Sequence, residues 1–243
     1  MYSIFKKEIS SFFSSVTAYL VISVFLILTG MFMWVFTDYS VLDYNFASLE
    51  QLFSIGPLIF LFLIPAITMR SFAEEKARGT IEFLSTKPLT DFQIVMGKFL
   101  ANFVLVAFAL LPTLIYYYSI VELGLPKGNI DSGEVIGSYI GLFCLAGAFV
   151  AIGMFASALT DNQIVAFILG AFLCFVMHWA FAYLARIPAF IGNLDGIIQS
   201  IGMSHHYESV SRGALDTRDV IYFLSVLSFF IYLTFAVLQT RKA

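Results

Sequence analysis

Long apolar runs alternate with short polar interruptions along this chain. Six runs reach about 20 residues, the length at which a helix crosses the hydrocarbon of a bilayer. They cover approximately 17–37, 52–72, 99–121, 135–158, 163–186 and 220–239. Ahead of the first lies Met1–Ser15, where Ile4, Phe5, Ile9, Phe12 and Phe13 alternate with Lys6, Lys7, Glu8, Ser10 and Ser11. Spacing near 3.6 predicts a short amphipathic helix lying in the membrane interface. The pattern predicts an all-α integral membrane protein. It has six transmembrane helices, an N-terminal interfacial helix and one domain over residues 1–243.

Composition agrees. Hydrophobic residues make up 60% of the chain, charged residues 12%, and the mean hydropathy is +0.92. A soluble domain is nearer half apolar and a quarter charged. Lys6 and Lys7 before an apolar run resemble a signal peptide. The run Thr17–Phe36 is too long for one and no A-x-A site follows, so a retained first span is expected. No basic stripe marks a nucleic-acid partner. Cys144 and Cys174 both fall inside apolar runs, where packing is the ordinary role of a thiol.

Charge placement sets the expected orientation. Lys6, Lys7, Arg70, Lys76, Arg78, Lys87, Lys98, Arg241 and Lys242 fall on one side of a six-span topology, nine of the 13 basic residues. The loops 38–51 and 122–134 contain only Lys127. By the positive-inside rule both termini and the 73–98 loop are cytoplasmic. Residues 187–219 are expected outside, as short helices rather than a seventh crossing. There Gly192 and Gly196 break the apolar run, Ser204 caps a turn and Gly213 fits a helix C′ position.

The loop between spans two and three carries the densest charge. It reads Glu74-Glu75-Lys76-Ala77-Arg78-Gly79-Thr80-Ile81-Glu82, then Lys87-Pro88-Leu89-Thr90-Asp91 and Gly97-Lys98, eight of the chain's 29 charged residues. Phe72, Ala77, Ile81 and Leu84 recur near helical spacing, Gly79 bends the chain, and Thr90-x-x-Gln93 is a capping box that launches a helix. A structured helical elbow offered to a soluble partner is one reading. A solvated positive-inside loop is the plainer one.

Other candidates are weaker. Gly97-Lys98 lacks the upstream glycine of a phosphate loop, so no nucleotide is held that way. His205-His206-Tyr207-Glu208 has ligand-type residues without the H-E-x-x-H pattern, and no metal site is expected. His178, inside the fifth span, is expected to be neutral and bonded to a neighbouring helix. Asn102 is expected to join helices, and Asp161 and Asn162 to cap one. Glu74-Glu75-x-x-Arg78 resembles the paired-glutamate motif of membrane prenyl-protein peptidases. Its arginine is one position early and the pair sits at the membrane edge.

The Glu74-Glu75-Lys76, Gly79-Thr80-x-Glu82, Pro88 and Gly97-Lys98 series resembles the cytoplasmic signature of type-2 ABC export permeases. The resemblance covers the whole chain, including His205-His206-Tyr207-Glu208-Ser209 with Arg212-Gly213 and Asp216, and is nearest to gliding-motility permease subunits of the GldF type. It implies a non-catalytic half-transporter in a bacterial inner membrane that binds no cofactor itself. A cytoplasmic ABC ATPase would supply ATP and Mg²⁺ chemistry, alongside a second permease copy or related subunit and a membrane-anchored auxiliary subunit. It further implies that Glu74, Glu75, Arg78, Gly79, Thr80, Glu82 and Pro88 form the ATPase-docking elbow. His205, His206, Glu208, Arg212 and Gly213 would belong to an exit gate. A membrane-embedded hydrolase using Glu74 and Glu75, or a non-transporting scaffold, are the competing expectations.

Overall fold

The computed structural model describes residues 1–36, 40–42, 48–80, 90–188, 192, 194–214 and 216–240. Among them there is no strand. In chain order the helices are α1 (Tyr2–Phe13), α2 (Val16–Trp34), α3 (Glu50–Thr68), α4 (Arg70–Ala77), α5 (Asp91–Leu110), α6 (Leu114–Leu123), α7 (Ser132–Leu159), α8 (Gln163–Phe175), α9 (Phe181–Ala185), α10 (Asp195–Ile201), α11 (Met203–Val210) and α12 (Thr217–Thr240). A 3₁₀ turn, Leu111–Thr113, joins α5 to α6, and a π-turn, Val176–Ala180, joins α8 to α9.

Five continuous stretches are long and apolar enough to cross a membrane: Glu50–Ala77, Asp91–Leu123, Ser132–Leu159, Gln163–Ala185 and Thr217–Thr240. With α2, which turns 70° away from α1, the number rises to six. The protein is therefore an all-α multi-pass membrane protein. At one end, Lys7 of α1 meets Glu75 of α4, and Lys76 reaches the Ala158 carbonyl of α7. We call this the elbow end. At the opposite end Tyr207 of α11 meets Phe53 of α3, and Tyr117 meets Ser132.

Helix α7 is the axis of the bundle. In its most apolar window 78% of residues are buried, against 22% in the windows of α8 and α12, which present their apolar faces outward. Close approach explains this. Gly153 of α7 lies against Thr68 of α3, where a Cβ would collide with the threonine hydroxyl. Such small residues are what membrane helices use to pack without a hydrophobic driving force. The aromatic pairs Phe53–Tyr139 and Phe25–Phe60 fill the space between α7, α3 and α2.

The structure differs from the sequence expectation in four local places. The second span continues past residue 72 as α4, so Glu74 and Glu75 belong to the helix rather than to a loop. Gly79 ends that helix instead of bending it. Ser204 is not a cap: Gly202 is the N-cap of α11, and Ser204 is buried within it. His178 is buried but, among the described residues, makes no hydrogen bond to another helix, and its Nδ1 has no partner there. Helices α10 and α11 have seven and eight residues, too short to cross, and they cover the opposite end of the bundle.

Candidate functional site

The elbow is built around a break in a helix. Pro65 lacks an N–H and leaves the Leu61 carbonyl without its helical donor, and four residues on α3 passes into α4 at Met69, whose backbone stays helical at φ −54° and ψ −31°. Groups loosened at such a break need partners in an apolar setting. Ser157 of α7 supplies them. Its hydroxyl accepts from the Phe72 and Ala73 amides at 3.0 and 3.1 Å and donates to the Met69 carbonyl at 2.8 Å. The Thr68 hydroxyl donates to the Ile64 carbonyl at 2.9 Å. Three residues along, the Lys76 ammonium donates to the Ala158 carbonyl, one of the last of α7. Those carbonyls lack intrahelical donors and carry the negative end of the helix dipole. One side chain of α7 thus stitches α4, and one of α4 caps α7.

The end of α4 is a Schellman motif. Gly79 has φ +66°, its amide bonds the Lys76 carbonyl at 3.0 Å, and the Thr80 amide bonds the Glu75 carbonyl at 2.9 Å. Glycine takes this left-handed backbone at no steric cost. Thr90 opens α5 with a complete capping box to Gln93.

Charges of three helices converge here. Lys98 of α5 is 1% exposed and lies 2.8 Å from Glu8 of α1 and 3.0 Å from Glu75 of α4. The Lys7 ammonium donates to the same Glu75 oxygen at 2.9 Å. A second chain runs Arg70–Glu74–Arg78, at 2.8 and 2.7 Å. Lys98 also lies 5.2 Å from the centre of the Phe72 ring, and Asn102 donates to Ser71 at 2.8 Å. Burial pulls the Lys7 pKa down, but the hydrogen bond and charge of Glu75 outweigh it, and the net shift is upward. Gly97 lets α1 approach, since a Cβ there would stand 3.1 Å from Ile4 and from the Met1 carbonyl.

Of the residues expected at the elbow, Glu74 and Glu75 have side chains only 17% and 12% exposed and are held by basic partners. Arg78, 70% exposed at its side chain, and the exposed Gly79 and Thr80 form the outward tip. Glu82 and Pro88, with Ile81 and Leu84, lie outside the described residues. Sequence reasoning missed Lys7, Glu8, Lys98 and Ser157 as members of this cluster. One signal was present: Lys98 is the only cation early in the apolar run of span three, and such a charge needs a partner.

The opposite end is arranged otherwise. Pro57 leaves the Phe53 carbonyl without a helical donor, and the buried Tyr207 hydroxyl donates to it at 2.7 Å. Burial raises the Tyr207 pKa. His206 sets Nδ1 against Asp219 at 2.7 Å and Nε2 against the Ser200 carbonyl at 2.9 Å, with its ring stacked on Tyr222 at 3.9 Å. Gly213, φ +79°, abuts α7, where its Cβ would meet Glu134 at 2.5 Å. His205 is exposed. Glu208 and Arg212 line a 530 Å³ cavity with Glu50, Glu134 and Arg186 on its rim and His178 within. The expected exit-gate residues therefore divide into a latch (His206), a close contact (Gly213) and a cavity rim (Glu208, Arg212).

Among the described residues no three His, Cys, Asp or Glu side chains gather as metal ligands. The paired glutamates face cations rather than a histidine, which does not resemble a hydrolytic centre. Among curated proteins there is no significant match. Residues 36–205, running from the end of the first span through the helix break, the capping box and α7 into α11, match the family described as ABC-2 family transporter protein, and the chain belongs to that family.

Proposed function

We propose that this chain is the permease half of an ATP-driven exporter whose ATPase docks on the elbow. Family membership makes it a transmembrane permease subunit, a class that is generally non-catalytic. The finer reading is that ATP and Mg²⁺ are handled by a cytoplasmic partner and that a second permease copy or related subunit completes the pathway. The resemblance to GldF-type subunits favours the gliding-motility complex with its membrane-anchored auxiliary subunit. The elbow end, which holds the N-terminus and the C-terminal end of α12, is then the cytoplasmic face of a bacterial inner membrane.

The observation that carries this reading is the anchoring of α4. A docking lever must pass displacement without melting. Here the lever is hydrogen-bonded or ion-paired to α1, α5 and α7, while its tip at Arg78-Gly79-Thr80 faces outward. Movement of the ATPase would shift α3, α4 and α5 as a rigid body. Glu74 and Glu75 position the lever, and Arg78 and Thr80 contact the partner. Docking charges fix register and approach more than affinity.

The test is co-purification of the ATPase with Arg78→Glu and Thr80→Lys permeases at matched expression, beside ATP turnover with and without the permease. The expected result is a folded, inserted permease that retains less ATPase. Full retention and function in both variants, or ATP hydrolysis by the permease alone, overturns the reading.

A further inference from the structure

We propose that the cavity at the opposite end binds a phosphate–ammonium zwitterion, the headgroup chemistry of phosphatidylethanolamine. The cavity measures 530 Å³, within the range of small-ligand sites, and lies between α3, α7, the π-turn and α11. Its rim mixes signs: Glu50, Glu134 and Glu208 against Arg186 and Arg212. No ion pair joins any two of these five among the described residues. A simple anion would face three carboxylates, and a simple cation would leave both guanidiniums unanswered. A zwitterion answers both. Arginine forks suit the two oxygens of a phosphate, and carboxylates with an aromatic face suit an ammonium group. Trp179 supplies that face in the wall, while the Tyr183 ring already lies 5.9 Å from the Arg186 guanidinium.

A buried polar group inside the cavity gives the second, independent observation. His178 is 3% exposed, lines the cavity, and has an Nδ1 with no hydrogen-bond partner. It sits in the π-turn, between the rings of Phe149, Trp179 and Tyr207. Leaving a buried ring nitrogen unpaired is costly, and intramembrane ionisable side chains mark functional sites. π-turns also concentrate at functional positions. The nitrogen itself has almost no accessible surface, so the His178 ring forms part of the cavity wall, and a ligand group would reach Nδ1 only after a shift of the surrounding rings. The protein stands in lipid, so headgroups of this chemistry are its neighbours.

Binding is measured on the full chain without any ATPase, so the result is independent of the export reading. With Trp34→Phe as background, Trp179 becomes the sole tryptophan of the chain. The protein is placed in nanodiscs of dioleoyl phosphatidylglycerol, and dioleoyl phosphatidylethanolamine is substituted stepwise. O-phosphoethanolamine is added from water in a parallel series. The expected result is a saturable change in Trp179 emission. It should weaken by about tenfold in Arg186→Gln/Arg212→Gln and in Glu134→Gln/Glu208→Gln, all rim positions exposed to solvent. His178→Phe, which keeps the ring packing, should weaken it several-fold. Saturation with the lipid alone identifies a membrane ligand, and saturation with the soluble zwitterion a ligand taken from water; either supports the site. No saturable response in both series, or one that all three variants leave unchanged, overturns it.

Discussion

The two ends of this bundle use charge in opposite ways. At the elbow end, Lys7, Glu8, Glu75 and Lys98 form one ion-paired group and Arg70, Glu74 and Arg78 a second, and one ammonium is almost wholly buried between two carboxylates. At the opposite end, Glu50, Glu134, Glu208, Arg186 and Arg212 surround open space without pairing with one another. Charges that neutralise one another and replace each other's water fix geometry. Charges left around a cavity remain available to something that enters. The same residue types thus make a rigid connector at one end and a receptive site at the other.

The largest effect is expected at the buried ammonium. Lys98→Met leaves Glu8 and Glu75, 25% and 12% exposed at their side chains, sharing the one exposed Lys7. Breaking a buried pair from one side costs about 3–5 kcal/mol, and the remaining Lys7 places this loss near the foot of that range. A thermal melt in detergent should show the loss, and proteolysis near Ser14 should show α1 released from α5. Adding Glu8→Gln and Glu75→Gln should recover much of the stability, because uncompensated charge rather than lost attraction is the main penalty. If Lys98→Met melts no earlier than Arg212→Gln at the opposite end, the contrast between the two ends fails.

Next come two hydroxyls that complete backbone hydrogen bonding from a neighbouring helix, one at each end. Ser157→Ala removes an acceptor from two amides and a donor from the Met69 carbonyl. Tyr207→Phe removes one donor from the Phe53 carbonyl. An unsatisfied buried group costs about 1–3 kcal/mol, so Ser157→Ala should fall at or above the top of that range and Tyr207→Phe nearer its foot. Equal melting shifts would mean that the helix break at Met69 does not depend on Ser157.

A third prediction concerns the latch. Both nitrogens of His206 face acceptors, Asp219 and the Ser200 carbonyl, and a neutral imidazole has a single donor. The ring is also stacked on Tyr222 and edged by His205. His206→Phe keeps a ring on Tyr222 but makes neither bond, and it should speed hydrogen exchange in α10 while leaving α4 unchanged. Asp219→Asn, which removes one charged partner only, should have a smaller effect. Unchanged exchange in both variants would remove the latch.

Much of this fold could be read from apolar run length alone, because a bilayer allows few alternatives to helices. The Thr90 capping box, the Asn162 cap on α8 and the Asn102–Ser71 contact could be read too, since each depends on local sequence or on a lone polar group in an apolar run. The interior of the elbow could not. Lys7, Glu8, Glu75 and Lys98 are separated by up to about 90 positions, and only the folding of α1 beneath α5 brings them together. Glu74 and Glu75 were legible as important residues but not as inward-facing ones, because which face of α4 turns inward is set by its packing on α7 and α5 rather than by local sequence. The cavity around His178 was equally hidden, since the π-turn that places the ring leaves no mark in the hydrophobic pattern.

The smallest effect should appear at the tip of the elbow, where two neighbouring residues separate charge from shape. Arg78 pairs with Glu74 at 2.7 Å, yet its side chain is 70% exposed and Glu74 keeps Arg70 when it is removed. Exposed pairs of this spacing are worth a few tenths of a kcal/mol, so Arg78→Gln should leave the melting temperature almost unmoved. Gly79→Ala adds only a methyl group, and nothing lies within 4 Å of its Cβ, yet it forces a side chain onto backbone at φ +66°. That conformation costs about 1–2 kcal/mol for a residue with a Cβ. The methyl should therefore destabilise the permease more than loss of the charge does. Retention of the ATPase should show the reverse order if Arg78 touches the partner, since Gly79 shapes the tip without offering a side chain to it. Parallel ranking in both assays would mean that Arg78 acts through the fold of α4, and the exposed tip would then belong with the rigid connector rather than with a docking surface.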